Sequence, residues 1–249
     1  VRAPCAETHP VRREVKDPFD AAVGLSGAAG CENRARLCRT RLAAAPDGGA
    51  LLGQAVSLMS RAKCTSDFFL TTAEKYYAVK PSANTALALA QIFQEKLDYT
   101  KALSCLDGAV AVEGVGAERQ NLLARIGRVG LAANKVSGSA AAARQARDLN
   151  PEDGVPYCVL AQCYGLSAAA CGGFAGQATF WAAYDTMAKA IELLPSDSEY
   201  LEHAKSALST FRNNFPNSEE CFFNELQAGA RYTVTCGTAA GVTTTVRPR

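Results

Sequence analysis

The ten cysteines of this 249-residue chain are the residues with the clearest potential for chemistry. They are Cys5, Cys31, Cys38, Cys64, Cys105, Cys158, Cys163, Cys171, Cys221 and Cys236. Zinc sites usually draw their ligands from close pairs, yet the chain has no Cys-x-x-Cys, and the closest cysteines share one predicted helix. An even number of cysteines is typical of paired thiols in an oxidising compartment. We therefore predict that all ten form disulfides and that none binds metal.

Geometry limits which cysteines can pair. Cys31 and Cys38 are about 10 Å apart along a continuous helix, beyond the roughly 7 Å limit between bonded Cα atoms, so they need different partners unless that helix breaks. We expect Cys163–Cys171 to close an inserted loop and Cys221–Cys236 to pin a C-terminal hairpin to the last helix. The remaining candidates for bridges between neighbouring helices are Cys38, Cys64 and Cys105. Spacing alone does not fix the connectivity.

Catalytic residues are sparse. The two histidines are His9 and His203, and His203 lies in a Glu- and Lys-rich helix, which favours a solvent-facing side chain over a catalytic base. The chain has no phosphate loop, dinucleotide fingerprint, paired-histidine metal motif or nucleophile elbow. We therefore predict a protein that is not an enzyme and uses no cofactor.

Composition excludes further classes of function. With 48% hydrophobic residues, 20% charged residues and a net charge of +2, the chain is an ordinary globular one without the basic excess of nucleic-acid-binding proteins. It has no apolar run of about 18 residues, so we expect no membrane span. The first residue is Val1, which suits a mature secreted form, with a trimmed chain as the alternative.

The elements that position the cysteines are helical. In "LALAQIFQEKLDYTKALSCLDGAVAVE", one apolar face runs through Leu87, Ala90 and Phe93, and a second helix follows the break at 98–99. This pair resembles the tetratricopeptide repeat, a helix pair of about 34 residues with fixed small and large positions. The matching residues are Leu89, Ala90, Phe93, Tyr99, Ala102, Leu106 and Ala109.

Weaker copies of this unit lie on both sides of it. One covers 50–82, another covers about 120–153, and a third, opening near Leu160 and closing at Pro195, carries about ten extra residues, "SAAACGGFAG", at its inter-helix turn. Pro81, Pro151 and Pro195 are each expected to end a helix. The resemblance implies a secreted bacterial tetratricopeptide-repeat protein: mainly α, a right-handed α-solenoid of helix-turn-helix repeats.

The flanks complete the predicted domains. We predict an extended segment over 1–29, the helical array over 30–216 and a β-hairpin tail over 217–249. Within the array, "CENRARLCRTRLAAA" (31–45) is expected to pack on the first unit, and 198–216 to cover the last apolar face. The alternating residues near the C-terminus and around the loop with Gly237 and Gly241 predict the hairpin.

Two functions fit these features. The first is an extracellular structural subunit that polymerises head to tail, because a lone hairpin is marginal and gains a strand from another copy. Its candidate contacts are Val11, Arg13, Val15, Tyr232, Val234, Val242, Thr244 and Val246. The partners would then be other copies of the chain, with other secreted proteins also possible. The alternative is a secreted or periplasmic adaptor that binds a peptide or protein on its concave face, with the hairpin packed on its own last helix.

Overall fold

The computed structural model describes residues 30–44, 48–62, 64–112 and 116–249. The described residues fall into two compact units, one that ends at residue 72 and one that begins at residue 73. The predicted N-terminal segment, with Val11, Arg13 and Val15, lies outside the described residues. In chain order, the helices are α1 Cys31–Ala44, α2 Gly49–Arg61, α3 Asp67–Val79, α4 Ala83–Glu95, α5 Tyr99–Val112, α6 Ala117–Ala132, α7 Val136–Leu149, α8 Gly154–Cys171, α9 Gly173–Leu193, α10 Leu201–Asn213 and α11 Ser218–Phe223.

The first unit holds α1, α2 and the start of α3, since the boundary between the units falls inside α3. A disulfide joins Cys31, at the start of α1, to Cys64, beyond the end of α2, with 5.5 Å between their Cα atoms. The buried core between these helices includes Cys38, Leu52 and Met59. The predicted helix 31–45 is therefore present and is bonded to the unit it was expected to cover.

The second unit is a series of helix pairs from α4 to α9, in which each helix packs mainly on the next. Small residues set the spacing: Ala90, Ala102 and Ala109 are fully buried between α4 and α5. The approach of α6 to α7 is closer still, because a Cβ on Gly130 would lie 2.3 Å from Ser139 Oγ. These contacts confirm the predicted array of tetratricopeptide-like pairs.

The turns inside two successive pairs have the same geometry. Leu97 ends the turn after α4 with φ of 59°, and Asn134 does the same after α6 with φ of 56°. In both turns, a backbone N–H reaches five residues back: Asp98 donates to the Phe93 carbonyl at 2.8 Å, and Lys135 to the Gly130 carbonyl at 2.8 Å. This left-handed closure satisfies the last carbonyls of each first helix. Repeated backbone geometry thus accompanies the repeated sequence.

Each predicted proline stop is present. The helices α3, α7 and α9 end at Val79, Leu149 and Leu193, two residues before Pro81, Pro151 and Pro195. A proline cannot continue the helical hydrogen-bond ladder, and it biases the residue before it away from helical geometry. Ser82 and Asp153 then cap the next helices, accepting from the N–H groups of Thr85 and Val155.

The extra residues of the third unit do not form a loop, contrary to the prediction. They lengthen both helices, so that α8 has 18 residues and α9 has 21, and only Gly172 separates them. Gly172 has φ of 66°, a left-handed conformation that glycine adopts without strain. Farther along, a Cβ on Gly176 would lie 2.5 Å from the Ala168 carbonyl oxygen. The insertion is accommodated by tight helix packing.

The C-terminal tail forms the predicted antiparallel hairpin, with strands β1 Arg231–Thr233 and β2 Thr243–Thr245 and Tyr232 opposite Thr244. A short 3₁₀ turn, Gly237–Ala239, lies in the connection. Val234, Thr244 and Val246 are buried, as expected for one face of the two strands. That face packs on the chain itself: the Thr244 hydroxyl donates to Asp185 Oδ2 on α9 at 2.6 Å.

Candidate functional site: a groove across the first helices

A groove of about 410 Å³ crosses the first helices of three successive pairs. Asn84 and Leu87 come from α4, and Asn121 and Arg125 from α6. The start of α8 adds Val155, and Tyr200, just before α10, closes one side together with Ala83, Glu118, Leu122, Ala124, Arg128 and Asp153. Because equivalent helices of a repeat array face the same way, the repeat itself builds this surface.

The floor of the groove is apolar. Leu122 and Ala124 are 3% and 7% exposed, and Leu87 and Val155 are half-buried. These side chains belong to three different helices, so a ligand lying across them would contact each of the three pairs. With the polar side chains around it, this floor offers a ligand both apolar and polar contacts.

Two arginines one helical turn apart form the polar wall. The guanidinium of Arg128 lies 5.6 Å from the centroid of the Tyr200 ring and donates to the Tyr200 hydroxyl. Arg125 is half-buried, and no ion pair or hydrogen bond to it occurs among the described residues. Burial, followed by the neighbouring Arg128 charge, lowers the pKa of Arg125 from its usual value. A half-buried cation of this kind favours an anionic ligand group, because pairing offsets its desolvation.

Among the described residues, the acidic side chains of the groove form no ion pair with these arginines. The Asp153 carboxylate accepts from Gln120 Nε2 at 2.6 Å and from the Val155 N–H at 2.9 Å, so it serves as the cap of α8. Glu118 stands in the first turn of α6, two turns before Arg125. The two arginines are thus without a carboxylate partner in the described part of the chain, and they balance the two acidic residues of the groove in formal charge.

A second cavity, of about 470 Å³, shares both arginines. Its other side chains include Gln91, Gln94 and Tyr99 from the α4–α5 pair. The two cavities together make a continuous path along α4 and α6, with Arg125 and Arg128 between them. A separate cavity of about 380 Å³, lined by Leu103, Ile126 and Gln145 among others, uses neither arginine.

The cysteines pair differently from the prediction. Cys171 at the end of α8 bonds to Cys236 beside the 3₁₀ turn, with 5.9 Å between their Cα atoms. The predicted Cys163–Cys171 bond is wrong because both residues lie on one continuous helix, about 12 Å apart at 1.5 Å per residue. The predicted Cys221–Cys236 bond is also wrong, since the connection between the strands folds over the end of α8 and leaves Cys221 against Trp181.

Five described cysteines are free thiols, which overturns the expectation that all ten are oxidised. They are Cys38, Cys105, Cys158, Cys163 and Cys221. Neither Cys38 nor Cys105 bridges helices, whereas Cys64 does, through Cys31. Burial raises the pKa of Cys158 to about 11 and of Cys163 to about 12. Thiols held protonated in this way are poor nucleophiles and behave as small apolar side chains.

The remaining sequence predictions concern His203, metal binding and membrane spans. His203 is exposed and hydrogen-bonded to Gln162 at 3.0 Å. Among the described residues, no cluster of three or more His, Cys, Asp or Glu side chains could hold a metal ion. In the same part of the chain, no helix has the length and hydropathy to cross a bilayer. The groove arginines were not predicted, although their spacing on the first helix of the 120–153 unit was visible.

Comparisons with solved structures place this arrangement among known folds. Two crystal structures of MamA match with a TM-score of 0.54 each, at 15% and 14% identity, over 71% and 70% of this chain and 94% and 87% of theirs. Yeast Tom70 matches with a TM-score of 0.50 at 15% identity, over 78% of this chain and 42% of its own. MamA and Tom70 are tetratricopeptide-repeat proteins. The chain has the tetratricopeptide-repeat fold. No family model matches the chain, and no curated protein matches it in sequence.

The groove is formed by the repeated helices of this fold. The surface described above spans the first helices of consecutive repeats, and it is the repeats, rather than the tail, that resemble the predicted family in sequence. The fold alone names no ligand, so the ligand has to be inferred from the side chains that line the groove.

Proposed function

We propose that this protein is a non-enzymatic scaffold that binds a segment of a protein partner in the groove across α4, α6 and α8. The segment carries an apolar side chain for the floor and a carboxylate for the arginine wall. The observation that supports this most directly is Arg125, a half-buried cation beside the apolar floor of the groove, without an acceptor among the described residues. A buried guanidinium gains most from a bidentate carboxylate.

The protein acts outside the cytosol, in the extracellular space or the periplasm. The support for this compartment is the pair of disulfides, Cys31–Cys64 and Cys171–Cys236. Such bonds persist in oxidising compartments and are reduced in the cytosol of most organisms. The five free thiols do not conflict with that environment where they are buried, because oxidation follows exposure and thiolate character.

A random-peptide display library selected on the full chain tests the function. We expect the selected peptides to share an acidic residue beside apolar ones, and Arg125→Glu to weaken their binding at least tenfold. Lys135→Glu, which makes the same reversal of charge in the separate cavity, is the matched control and should leave binding unchanged. Peptides without acidic residues, or peptides indifferent to Arg125→Glu, would refute the proposed ligand class.

Self-assembly is the second candidate function. In the predicted form, residues 230–247 pair with residues 11–15 of another copy; this remains a prediction, since 11–15 lie outside the described residues. The side-chain face of the hairpin, including Val234, Thr244 and Val246, is occupied by its own chain. A different feature of the tail, the exposed Phe222 and Phe223, favours assembly.

A further inference from the structure

Two adjacent aromatic side chains stand in solvent at the C-terminal end. Phe222 is 78% exposed and Phe223 is 73% exposed, with 6.1 Å between their ring centroids. The other large rings nearby, such as Trp181 and Phe215, are buried. Burying an aromatic residue contributes more to an interface than almost any other side chain, so an exposed pair marks a contact surface.

The short helix that carries the pair is held firmly. Cys221 is 2% exposed and packs beside Trp181 and Phe215. A capping box closes the start of the helix: the Glu220 N–H donates to the Asn217 side chain at 2.8 Å, and the Asn217 N–H donates to Glu220 at 2.7 Å. The Leu226 N–H donates to the Cys221 carbonyl at 3.0 Å and closes the end. The backbone that carries the two rings is thus preorganised, which reduces the entropy lost on binding.

Carboxylates flank the rings. Glu219 precedes Phe222 and Phe223 by three and four residues and so shares their helical face. Glu225 follows in a left-handed conformation, with φ of 56°. Both carboxylates are exposed and make no ion pair among the described residues. We call Glu219, Phe222, Phe223 and Glu225 the aromatic knob.

We propose that the aromatic knob of one copy docks in the first-helix groove of a second copy. This inference rests on the proposed function of the groove and names its occupant. The apolar floor receives the two rings, and Arg125 and Arg128 pair with the flanking carboxylates or stack on the rings, as guanidinium groups do. A groove of about 410 Å³ has the size of pockets that enclose such groups.

The geometry of this contact produces open chains. The knob and the groove share no residue, so a docked pair leaves one free groove and one free knob. Heterologous contacts of this kind extend into filaments unless their rotation closes a ring. Assembly through this contact requires neither strand of the hairpin to leave its own chain.

Analytical ultracentrifugation of the full chain at concentrations from about 1 to about 500 µM tests the proposal. This range covers the dissociation constants that are typical of small protein interfaces. We expect the average mass to pass that of a dimer. F222S/F223S and R125E should each weaken association at least tenfold. Matched controls change an exposed apolar residue or a charge elsewhere: L149S and R36E should associate like the unaltered chain. Circular dichroism checks that each variant is folded.

Mixing the two defective variants gives the sharpest result. F222S/F223S keeps its groove and R125E keeps its knob, so together they should form a 1:1 complex that grows no further. The charge-reversed knob E219R/E225R should regain binding to R125E. A monomeric unaltered chain at every concentration, a mixture that stays monomeric, or full association of F222S/F223S would overturn the proposal. If library peptides still need Arg125 in that case, the groove's function stands and only its occupant is wrong.

Discussion

The two ends of the second unit differ in the side chains that pack between their helices. From α4 to α7, the interfaces combine alanine and glycine with aliphatic side chains such as Leu89 and Leu106, and the first helices leave a groove open between them. From α8 onward, aromatic rings are added to the small residues: the Trp181 ring lies 5.9 Å from that of Phe174, 5.5 Å from that of Tyr232 and 6.5 Å from that of Phe215. The first two helix pairs thus leave a surface open, and the last pair forms an aromatic core with the C-terminal tail.

Hydrogen bonds also hold the C-terminal tail on the helices. Thr238, in the 3₁₀ turn, donates its hydroxyl to the Cys163 carbonyl at 2.9 Å, and its N–H donates to Ser167 Oγ at 3.1 Å. Arg144 on α7 donates to the Thr238 carbonyl. A repeat array is held by nearest-neighbour contacts and frays at its ends. Hydrogen bonds that hold the last helices in place therefore also stabilise the repeats before them. The tail therefore stabilises the fold, while the repeats hold the groove that we propose as the binding surface.

Trp181→Ala should have the largest effect on stability. Trp181 is fully buried and donates its indole N–H to the Arg247 carbonyl at 2.8 Å. We expect the free energy of unfolding in urea to fall by about 3–5 kcal/mol. Leu87→Ala, in the open groove, should cost less than about 1 kcal/mol because its side chain is only half-buried. Equal losses for the two variants would contradict the contrast between the ends.

Removing the C-terminal disulfide should have the next largest effect. The bond closes a sequence separation of 65 residues. With both Cys171 and Cys236 changed to Ala, the free energy of unfolding should fall by about 2–4 kcal/mol, because the unfolded chain regains freedom. Urea titration followed by circular dichroism measures this loss. Affinity for a groove-binding peptide should remain unchanged in conditions where the variant is folded, and a lost affinity would mean that the tail contributes to the site.

A pair of glycine substitutions compares tight and open packing. A Cβ on Gly176 would lie 2.5 Å from a backbone carbonyl oxygen, whereas a Cβ on Gly138 in α7 meets nothing within 4 Å. Gly176→Ala should therefore cost about 1–3 kcal/mol through overpacking. Gly138→Ala should stabilise by about 0.5–1 kcal/mol, since alanine favours the helix. Thermal unfolding of both variants shows whether each substitution raises or lowers the stability. Destabilisation by Gly138→Ala would contradict the open packing around that residue.

Alkaline pH should lower the stability of the C-terminal end of the second unit, because its buried thiols ionise more readily in the unfolded chain. Burial raises the pKa of Cys163 from its ordinary value of 9.0 to about 12. Above about pH 9, the thiol ionises in the unfolded chain but not in the folded one, so stability falls as pH rises towards 12. Cys163→Ala should flatten this slope, measured by urea titration at each pH. Cys105→Ala, at a half-buried position between repeats, should flatten it less, and a reversed order would contradict the assignment.

Much of the fold follows from local sequence. The apolar face with Ala90 and Phe93 predicts α4, and prolines such as Pro81 and Pro151 mark where helices end. The alternation that buries Val234 and Val246 predicts the hairpin and its buried face. These features depend on a few neighbouring residues, which is why sequence alone suffices for them.

The disulfides and the groove depend on distant parts of the chain. The pairing of Cys171 with Cys236 requires that the insertion extend two helices and that the tail fold over their ends, neither of which a local pattern encodes. Arg125 and Arg128 form a site only because α4 and α8 stack on either side of α6. Stacking decides which face of a helix stays open, so the site was missed.

Photo-crosslinking from two positions tests the central claim, that the first-helix groove binds the partner. A photoreactive residue is placed at Asn121, inside the groove, and separately at Gln145, an exposed position in the other cavity. Each full chain is irradiated with a peptide selected from the display library. We expect a covalent product from position 121 and little from position 145. Equal products from both positions, or a product from position 145 alone, would contradict the account.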